Sequence, residues 1–229
     1  MPAPPPEAAM RPAASAVFVL LIAGCGRGGG LPFYEDASLT PRWRGVVSTR
    51  ATPVHRIAEF ALLDQTGRPF TAGSLDGRVH VANFFFTSCG DVCPITRRLL
   101  SRVAAAFAAE DNLLITSYSV TPGRDSVADL AAYAAYNHID HRRWKLLTGD
   151  LATVRQLGAS YLVGFGRAGD YGVASLAHTE MLVLVDQHRR IRGVYNGTLA
   201  LDIDQLIADA RTLLTDGSFT TEGQWAHEP

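Results

Sequence analysis

Short apolar runs alternate with helical patterns through the middle of the chain. Residues 79–86 form a mainly apolar run, which is typical of a buried central strand. In residues 95–110 the apolar positions recur at helical spacing, and Pro94 suits the first turn of such a helix. The pattern therefore predicts a strand that passes through a short loop into a helix.

Periodicity and turn residues predict the other elements of the fold. The strands are expected at residues 60–63, 69–70, 79–86, 113–120, 144–147, 181–186 and 191–195, and the helices at residues 95–110, 126–137, 151–157 and 203–214. The first two strands and the last two strands form hairpins. Asp125 and Asp150 are the candidate N-caps of the second and third helices.

Two cysteines lie at the predicted junction of strand and helix. Cys89 follows the strand, and Cys93 falls at the helix N-terminus, where the helix dipole should make at least one thiol more acidic than a free cysteine. Strand, dithiol, helix, strand, helix, hairpin and closing helix is the order of a thioredoxin-like domain. We therefore predict an α/β protein with a thioredoxin-like fold, a central mixed sheet flanked by helices, and an N-terminal hairpin extension.

The first residues of the chain predict export. Arg11 precedes an apolar stretch that ends in Ile22-Ala23-Gly24-Cys25, a sequence typical of a bacterial lipoprotein signal. A transmembrane anchor with a buried cysteine is the weaker alternative, because a membrane-spanning helix needs about 20 residues. The pattern predicts a signal peptide over residues 1–24 and lipidation of Cys25. The chain would then be exported and anchored to a bacterial cell membrane, with its domain in the periplasm or extracytoplasmic space.

Composition divides the rest of the chain. Residues 25–54 begin with a glycine run and show no sustained period, which indicates a flexible tether and lead-in. Residues 55–215 carry the predicted elements and form the thioredoxin-like domain, and residues 216–229 are a C-terminal tail. The 21 basic and 22 acidic residues leave a net charge of −1, which gives no electrostatic reason to expect nucleic acid as a partner.

If Cys25 is lipidated, Cys89 and Cys93 are the only free thiols that remain. They could form a structural disulfide, a redox dithiol or a soft metal site. A structural disulfide is the weakest interpretation, because it would close a very small loop and constrain the unfolded chain little.

Two details favour a metal. Three residues separate the cysteines, whereas disulfide exchangers of this fold have two, and His178 stands before the strand at residues 181–186 where those enzymes carry a cis-proline.

Three segments form a recognisable set. They are Phe86-Thr87-Ser88-Cys89-Gly90-Asp91-Val92-Cys93-Pro94, Ser119-Val120-Thr121-Pro122-Gly123-Arg124-Asp125 and His178-Thr179. Together they resemble the Sco/SenC family of thioredoxin-like copper chaperones, over roughly residues 55–215. The resemblance implies that Cys89 and Cys93 are copper thiolates and also a redox disulfide pair, and that His178 is an imidazole ligand. The chain departs from the family at Thr121, where an aspartate is usual, and at Gly90, where a proline is frequent.

The resemblance implies a copper metallochaperone rather than an enzyme. Two thiolates select Cu(I), whereas imidazole also suits Cu(II), so this ligand set could hold copper in both states. Asp91, between the thiols, is a loop residue that could also support the site or act as a weak ligand. The implied partners are a copper donor protein and the copper-centre subunit of cytochrome c oxidase. Two alternatives stay open: a thiol-disulfide oxidoreductase that keeps partner cysteines reduced, and a tethered interaction module with a structural dithiol.

Overall fold

The computed structural model describes residue 1 and residues 30–43, 54–163 and 180–215. Its strands are β1 (Ala61–Asp64), β2 (Pro69–Thr71), β3 (Val79–Phe85), β4 (Leu113–Ser119), β5 (Trp144–Thr148), β6 (Met181–Val185) and β7 (Ile191–Asn196). Its helices are α1 (Val92–Ala106), α2 (Val127–Tyr136), α3 (Leu151–Ser160) and α4 (Ala200–Thr215), with a 3-10 turn at Ala72–Leu75. The strands form one sheet in the order β2-β1-β5-β4-β3-β6-β7.

The centre of the sheet is parallel. β3 pairs with β4 in register from Val79 opposite Leu113 to Phe85 opposite Ser119, and β4 pairs with β5 in the same direction. β1 and β6 run antiparallel to their central neighbours, and β7 runs antiparallel to β6. β3, β4 and β5 therefore finish together at what we call the carboxyl end of the sheet. β7 begins at the opposite end, which we call the amino end.

Apolar side chains cover both faces of the sheet. Every residue of β3 and β4 is buried. On one face the core includes Leu100 of α1, Leu130 of α2 and Leu206 of α4, and on the other face it includes Leu157 of α3 and Phe60 before β1. A strand buried on both faces has no solvent-facing side, which explains why residues 79–86 are apolar except for the buried His80 and Asn83.

The predicted thioredoxin-like fold is confirmed. The mixed sheet, the flanking helices and both hairpins are present in the described residues. Asp150 caps α3, as predicted, because its carboxylate accepts a hydrogen bond from the backbone N–H of Thr153 at 2.9 Å. Helix α1 begins at Val92, three residues earlier than expected from the apolar periodicity, so Cys93 lies in its first turn.

The predicted N-cap of α2 is wrong. The capping residue is Ser126, whose hydroxyl accepts from the backbone N–H of Asp129, while the Asp129 carboxylate accepts from the backbone N–H of Ser126. This reciprocal pair is a capping box. Asp125 lies one residue before the cap position, and its carboxylate accepts hydrogen bonds from Thr87 and Ser119 inside the protein.

Part of the segment predicted to be a tether contacts the domain. Phe33 and Arg42 form an isolated β-bridge, and the backbone N–H of Tyr34 donates to the carbonyl of Ile191 at 3.1 Å. The predictions for the signal peptide, for Cys25 and for the tail at residues 216–229 fall outside the described residues. In the ranges that the structure describes, no helix is long and apolar enough to cross a membrane.

Candidate metal centre

The two cysteines lie where β3 passes into α1. β3 ends at Phe85 and α1 begins at Val92, so Cys89 lies in the connecting loop and Cys93 in the first helical turn. The backbone N–H of Cys89 donates to the carbonyl of Phe86 at 3.3 Å and closes a turn in this loop. Both side chains are partly exposed, and both thiols are free. The dithiol therefore stands at the carboxyl end of the sheet, where open α/β sheets bind ligands.

The two thiols have different electrostatic environments. Burial acts to raise the pKa of Cys89, but hydrogen bonds from the Cys93 thiol and from three backbone N–H groups outweigh it, so this pKa lies below its usual value. The three N–H groups belong to Cys93, Asp91 and Val92 at the N-terminus of α1. Burial, followed by the hydrogen bond with Cys89, raises the pKa of Cys93 to about 12. The acidic thiol predicted for this site is therefore Cys89.

Pulsed alkylation should reveal the difference between the thiols. In the reduced protein near neutral pH, iodoacetamide should modify Cys89 well before Cys93, because the thiolate is the reacting species. The rate at Cys93 should keep increasing as the pH approaches its pKa of about 12, whereas the rate at Cys89 should level off earlier. Peptide mass spectrometry after timed pulses measures both rates, and equal rates near neutral pH would contradict the assignment.

A small cavity lies beneath Cys93. Its walls include Tyr133 and Trp144, and its volume of about 20 Å³ suits a single water molecule. At its floor the indole N–H of Trp144 donates to the hydroxyl of Ser117 at 2.8 Å, and that hydroxyl donates to the amide oxygen of Asn83 at 2.5 Å. Burial raises the pKa of Tyr133 to about 12. Tyr133 therefore stays neutral over the pH range in which Cys89 ionises.

A buried carboxylate fastens the cysteine loop to the sheet. Asp125 is 1% exposed and accepts hydrogen bonds from the backbone N–H and the hydroxyl of Thr87, at 3.2 and 2.6 Å. The hydroxyls of Ser119 and Thr121 donate to the same carboxylate at 2.5 and 3.0 Å. The ends of β3 and β4 thus meet at one carboxylate, and Thr87, which donates to it, lies two residues before Cys89. Thr121, a departure from the family pattern, contributes a hydroxyl donor to this cluster.

Asp125→Ala should destabilise the domain and loosen the cysteine loop. The substitution leaves the Thr87 N–H and the hydroxyls of Thr87, Ser119 and Thr121 without their acceptor, which should cost about 3 kcal/mol of unfolding free energy. Denaturant unfolding measures this loss, and hydrogen exchange should show faster exchange at residues 86–93. Asp111→Ala is the matched control, because the Asp111 side chain is 94% exposed. An unchanged unfolding midpoint for Asp125→Ala would contradict the role that we assign to this carboxylate.

Sequence reasoning missed Asp125 as a residue of the site. Its position directly before the predicted helix at residues 126–137 favoured a capping role, which is the local explanation for an aspartate there. The available signal was the group of hydroxyl residues Thr87, Ser119 and Thr121, all at predicted strand ends at the carboxyl end of the sheet. A buried carboxylate needs several donors, and these residues are the ones that supply them.

The other predicted site residues differ in their placement. Asp91 precedes α1; its side chain is exposed and makes no capping hydrogen bond, while its backbone N–H contacts Cys89. His178 and Cys25 lie outside the described residues. No group of three His, Cys, Asp or Glu side chains that could hold a metal occurs in residues 30–43, 54–163 and 180–215. The described part of the site therefore contains two free thiols as candidate ligands.

Glu180, two residues after His178 in the chain, lies beside Gly197, which in turn approaches helix α1. The Glu180 carbonyl accepts from the backbone N–H of Gly197 at 2.6 Å, and its carboxylate accepts from the side-chain amide of Asn196 at 3.0 Å. A Cβ atom at Gly197 would lie 3.0 Å from the Thr96 side chain of α1 and 2.9 Å from the Glu180 carbonyl. The absence of a side chain at Gly197 therefore lets the start of β6 approach the helix that carries Cys93.

Comparison with known proteins identifies the family. The sequence model of the SCO1/SenC family matches residues 49–215 of this chain. The chain belongs to the SCO1/SenC family. The match includes the dithiol loop, the Asp125 cluster and all seven strands, so the family relationship covers both the fold and the residues at the carboxyl end of the sheet.

Solved structures of SCO1/SenC proteins have the same fold. A SCO1/SenC family lipoprotein from Bacillus anthracis is 25% identical, with a TM-score of 0.62 over 73% of this chain and 99% of that protein. Bradyrhizobium japonicum ScoI, solved with copper bound, is 26% identical, with a TM-score of 0.55 over 68% and 98%. BsSco, described as a member of the Sco family of cytochrome c oxidase assembly proteins, is 24% identical, with a TM-score of 0.60 over 69% and 93%.

The dithiol supports two kinds of chemistry. Two thiols four positions apart in the chain, partly exposed and hydrogen-bonded to each other, can bind one soft cation once both are deprotonated. A bound cation would offset the burial that disfavours a thiolate at Cys93. The same pair can also give two electrons and two protons to a partner disulfide. The more acidic thiol attacks that disulfide, the second thiol displaces the partner sulfur from the mixed disulfide, and the products are an intramolecular disulfide and two partner thiols.

Proposed function

We propose that this chain is a membrane-tethered copper metallochaperone that delivers copper to the binuclear copper centre of cytochrome c oxidase. The observation that carries the proposal is the pair of free thiols, Cys89 and Cys93, with a lowered pKa at Cys89 and partial exposure at both. Thiolates are the protein ligands that select Cu(I). Membership of the SCO1/SenC family supports copper as the cargo, because the related ScoI structure contains this metal.

His178 is the proposed third ligand. Two observations support it: Glu180 is hydrogen-bonded to the turn at Gly197, and that turn approaches Thr96 of α1. Two residues of extended chain span about 7 Å, and this short distance from Glu180 supports His178 as a ligand beside that helix. An imidazole would add a nitrogen ligand that suits Cu(II), so that the site could hold copper in either oxidation state.

The proposed anchor is a lipid on Cys25. The lipoprotein signal at residues 22–25 supports it, as does the naming of the related Bacillus anthracis protein as a lipoprotein. The proposed location of the domain is the periplasm or another extracytoplasmic space. The proposed partners there are a copper donor protein and the copper-centre subunit of the oxidase, and the description of BsSco as an assembly protein of that enzyme supports the second.

A thiol-disulfide oxidoreductase is the second candidate function. The unequal pKa values of Cys89 and Cys93 favour it, because an acidic attacking thiol beside a second thiol is typical of disulfide exchange. A reductase would transfer two electrons from the dithiol to a partner disulfide and become oxidised itself. In this alternative copper would reach the partner from another source.

A transfer experiment separates the two functions. The reduced full chain, either without copper or loaded with one Cu(I) per molecule, is mixed with the apo copper-centre domain of an oxidase, prepared with its cysteines either reduced or oxidised. A metallochaperone should transfer copper to the reduced acceptor. A reductase without copper should reduce the oxidised acceptor, after which free copper would load it. Reduction of the acceptor with no copper transfer from the loaded chain would replace the first proposal by the second.

A further inference from the structure

Residues 31–43 form a strap that is fastened to β7. The guanidinium of Arg192 donates to the carbonyl oxygens of Leu31 at 2.6 Å and Pro32 at 3.1 Å. The backbone N–H of Tyr34 donates to the carbonyl of Ile191 at 3.1 Å. Three backbone groups of the strap are thus bound to the first two residues of β7, which is the edge strand of the sheet.

A charged platform supports the strap. The ring of Phe33 lies 4.1 Å from the guanidinium carbon of Arg192 and 5.3 Å from that of Arg190. Both guanidinium groups are held by the carboxylate of Asp186, at 3.1 and 2.8 Å, and Asp186 is 1% exposed. Cation–π contacts with guanidinium groups that are already fixed cost little side-chain entropy. The strap therefore rests on a surface that is rigid before the strap binds.

The strap closes on itself as well. Phe33 and Arg42 exchange two backbone hydrogen bonds of 2.9 Å, and the Arg42 guanidinium contacts the Asp36 carboxylate at 2.8 Å. Residues 31–34, which contact β7, therefore belong to a closed turn and not to a single extended segment. An isolated extended segment would have to lose more backbone entropy to make the same contacts.

The strap binds at the amino end of the sheet. β7 begins at Ile191, and Ile191 is paired with Val185, which in turn lies opposite His80 near the start of β3. Cys89 follows the far end of β3, so the length of this strand separates the strap from the dithiol. For seven residues that length is about 23 Å, at about 3.3 Å per residue.

We propose that the strap orients the domain on the membrane, with the amino end of the sheet against the bilayer and the dithiol facing away from it. This inference rests on the proposed lipidation of Cys25. With the strap fastened, five residues lie between Cys25 and Leu31, and the six residue steps span at most about 22 Å. With the strap released, about 30 residues would separate the lipid from the domain, with an extended length of about 100 Å and no preferred orientation.

The consequence is a defined height for the copper site. The start of β7 lies within about 22 Å of the lipid surface, and the dithiol lies about 23 Å further out, along β3. The amino end of the sheet faces the bilayer into which the lipid on Cys25 is inserted. The acceptor that the dithiol can reach is then a copper site in an extramembrane domain, above the membrane surface, rather than a site within the bilayer.

Energy transfer to the membrane surface tests the orientation. The full-length acylated protein is inserted into phosphatidylcholine vesicles that contain a rhodamine-labelled headgroup lipid. One sample carries a donor dye at Cys89 with Cys93→Ser. The other carries it at Asp111→Cys with both dithiol cysteines changed to Ser, because Asp111 is exposed and precedes β4 at the amino end. The dye at position 111 should lie about 20 Å closer to the lipid surface than the dye at Cys89.

Release of the strap should abolish this difference. The double variant Phe33→Ala, Tyr34→Pro removes the ring that the guanidinium groups of Arg190 and Arg192 contact and the N–H that binds Ile191. The two dyes should then report the same broad distribution of heights. Arg192→Ala, which removes both carbonyl contacts, should give the same result by a second route. Trp43→Ala is the matched control, since this strap residue is 65% exposed, and it should preserve the difference.

The outcomes separate this inference from the anchor on which it rests. Intact mass and vesicle flotation first establish whether Cys25 is acylated. A protein that is neither acylated nor bound to vesicles would overturn the anchor and this inference together. An acylated, vesicle-bound protein with both dyes at equal height would overturn the orientation alone. A height difference that survives in both the double variant and Arg192→Ala would assign the orientation to something other than the strap.

Discussion

Cys89→Ser and Cys93→Ser should each reduce the affinity for Cu(I) on the order of 1,000-fold, and the double variant should bind no copper tightly. A serine hydroxyl is a hard, weakly acidic group, so it does not replace a thiolate as a ligand for a soft cation. The loss is expected to be large because each thiolate ligand contributes several kcal/mol and a tenfold change in affinity corresponds to about 1.4 kcal/mol. Competition against a chromophoric Cu(I) chelator, without oxygen, measures these affinities.

The matched control for the cysteine variants is Ser88→Ala. Ser88 is exposed in the same loop as Cys89 and lies next to it in the chain. This variant should keep the copper affinity of the unmodified protein. The two cysteine variants should also remain folded, because both thiols are partly exposed and neither belongs to the centre of the core. Undiminished copper uptake by the double variant would place the copper site elsewhere in the chain.

His178→Ala should weaken Cu(II) binding far more than Cu(I) binding. Cu(I) is satisfied by two thiolates, whereas Cu(II) prefers a tetragonal set that contains nitrogen or oxygen ligands. Removal of one imidazole should cost Cu(II) affinity on the order of 100-fold or more, the range that single changes around a metal site reach. The same variant should form its disulfide at the normal rate, because an imidazole is not a partner in that bond. Paired affinity measurements in both copper oxidation states, with a disulfide-exchange assay, test this expectation.

His141→Ala is the control for this experiment, since His141 is exposed between α2 and β5. It should leave both copper affinities unchanged. Equal losses of Cu(I) and Cu(II) affinity in His178→Ala, together with a collapse of the exchange rate, would indicate a redox enzyme in which the histidine adjusts the reactivity of a thiol. That result would favour the oxidoreductase over the metallochaperone.

The dithiol and the fold could be predicted because their signals are local. The apolar run of β3, the helical periodicity of α1 and the two cysteines between them are continuous in sequence, so they specify the junction without any distant partner. The hairpins and the Asp150 cap are local in the same way. The start of α1 differed from the prediction because Val92 and Cys93 precede the periodic apolar residues. Their helical conformation is seen in the backbone and leaves no periodic signal in the sequence.

The Asp125 cluster and the strap depend on contacts between distant residues. Asp125 binds Thr87, which is 38 residues away, and the two meet only because β3 and β4 are parallel neighbours in one register. Arg192 binds Leu31 across 161 residues. Neither the Asp125 segment nor the strap has a sequence period or motif from which its distant partner could be predicted. The sequence indicated a glycine-rich lead-in, and the folded domain supplied the surface that binds part of it.

Copper titration of the reduced and the oxidised full chain tests the central claim most directly. Thiolate ligation requires two reduced, deprotonated sulfurs, so a disulfide between Cys89 and Cys93 should remove the site. The reduced protein should bind one copper per chain with high affinity, and the protein oxidised to the intramolecular disulfide should bind essentially none until a reductant is added. Equal copper uptake by the oxidised and reduced forms would contradict a site built on these two thiols.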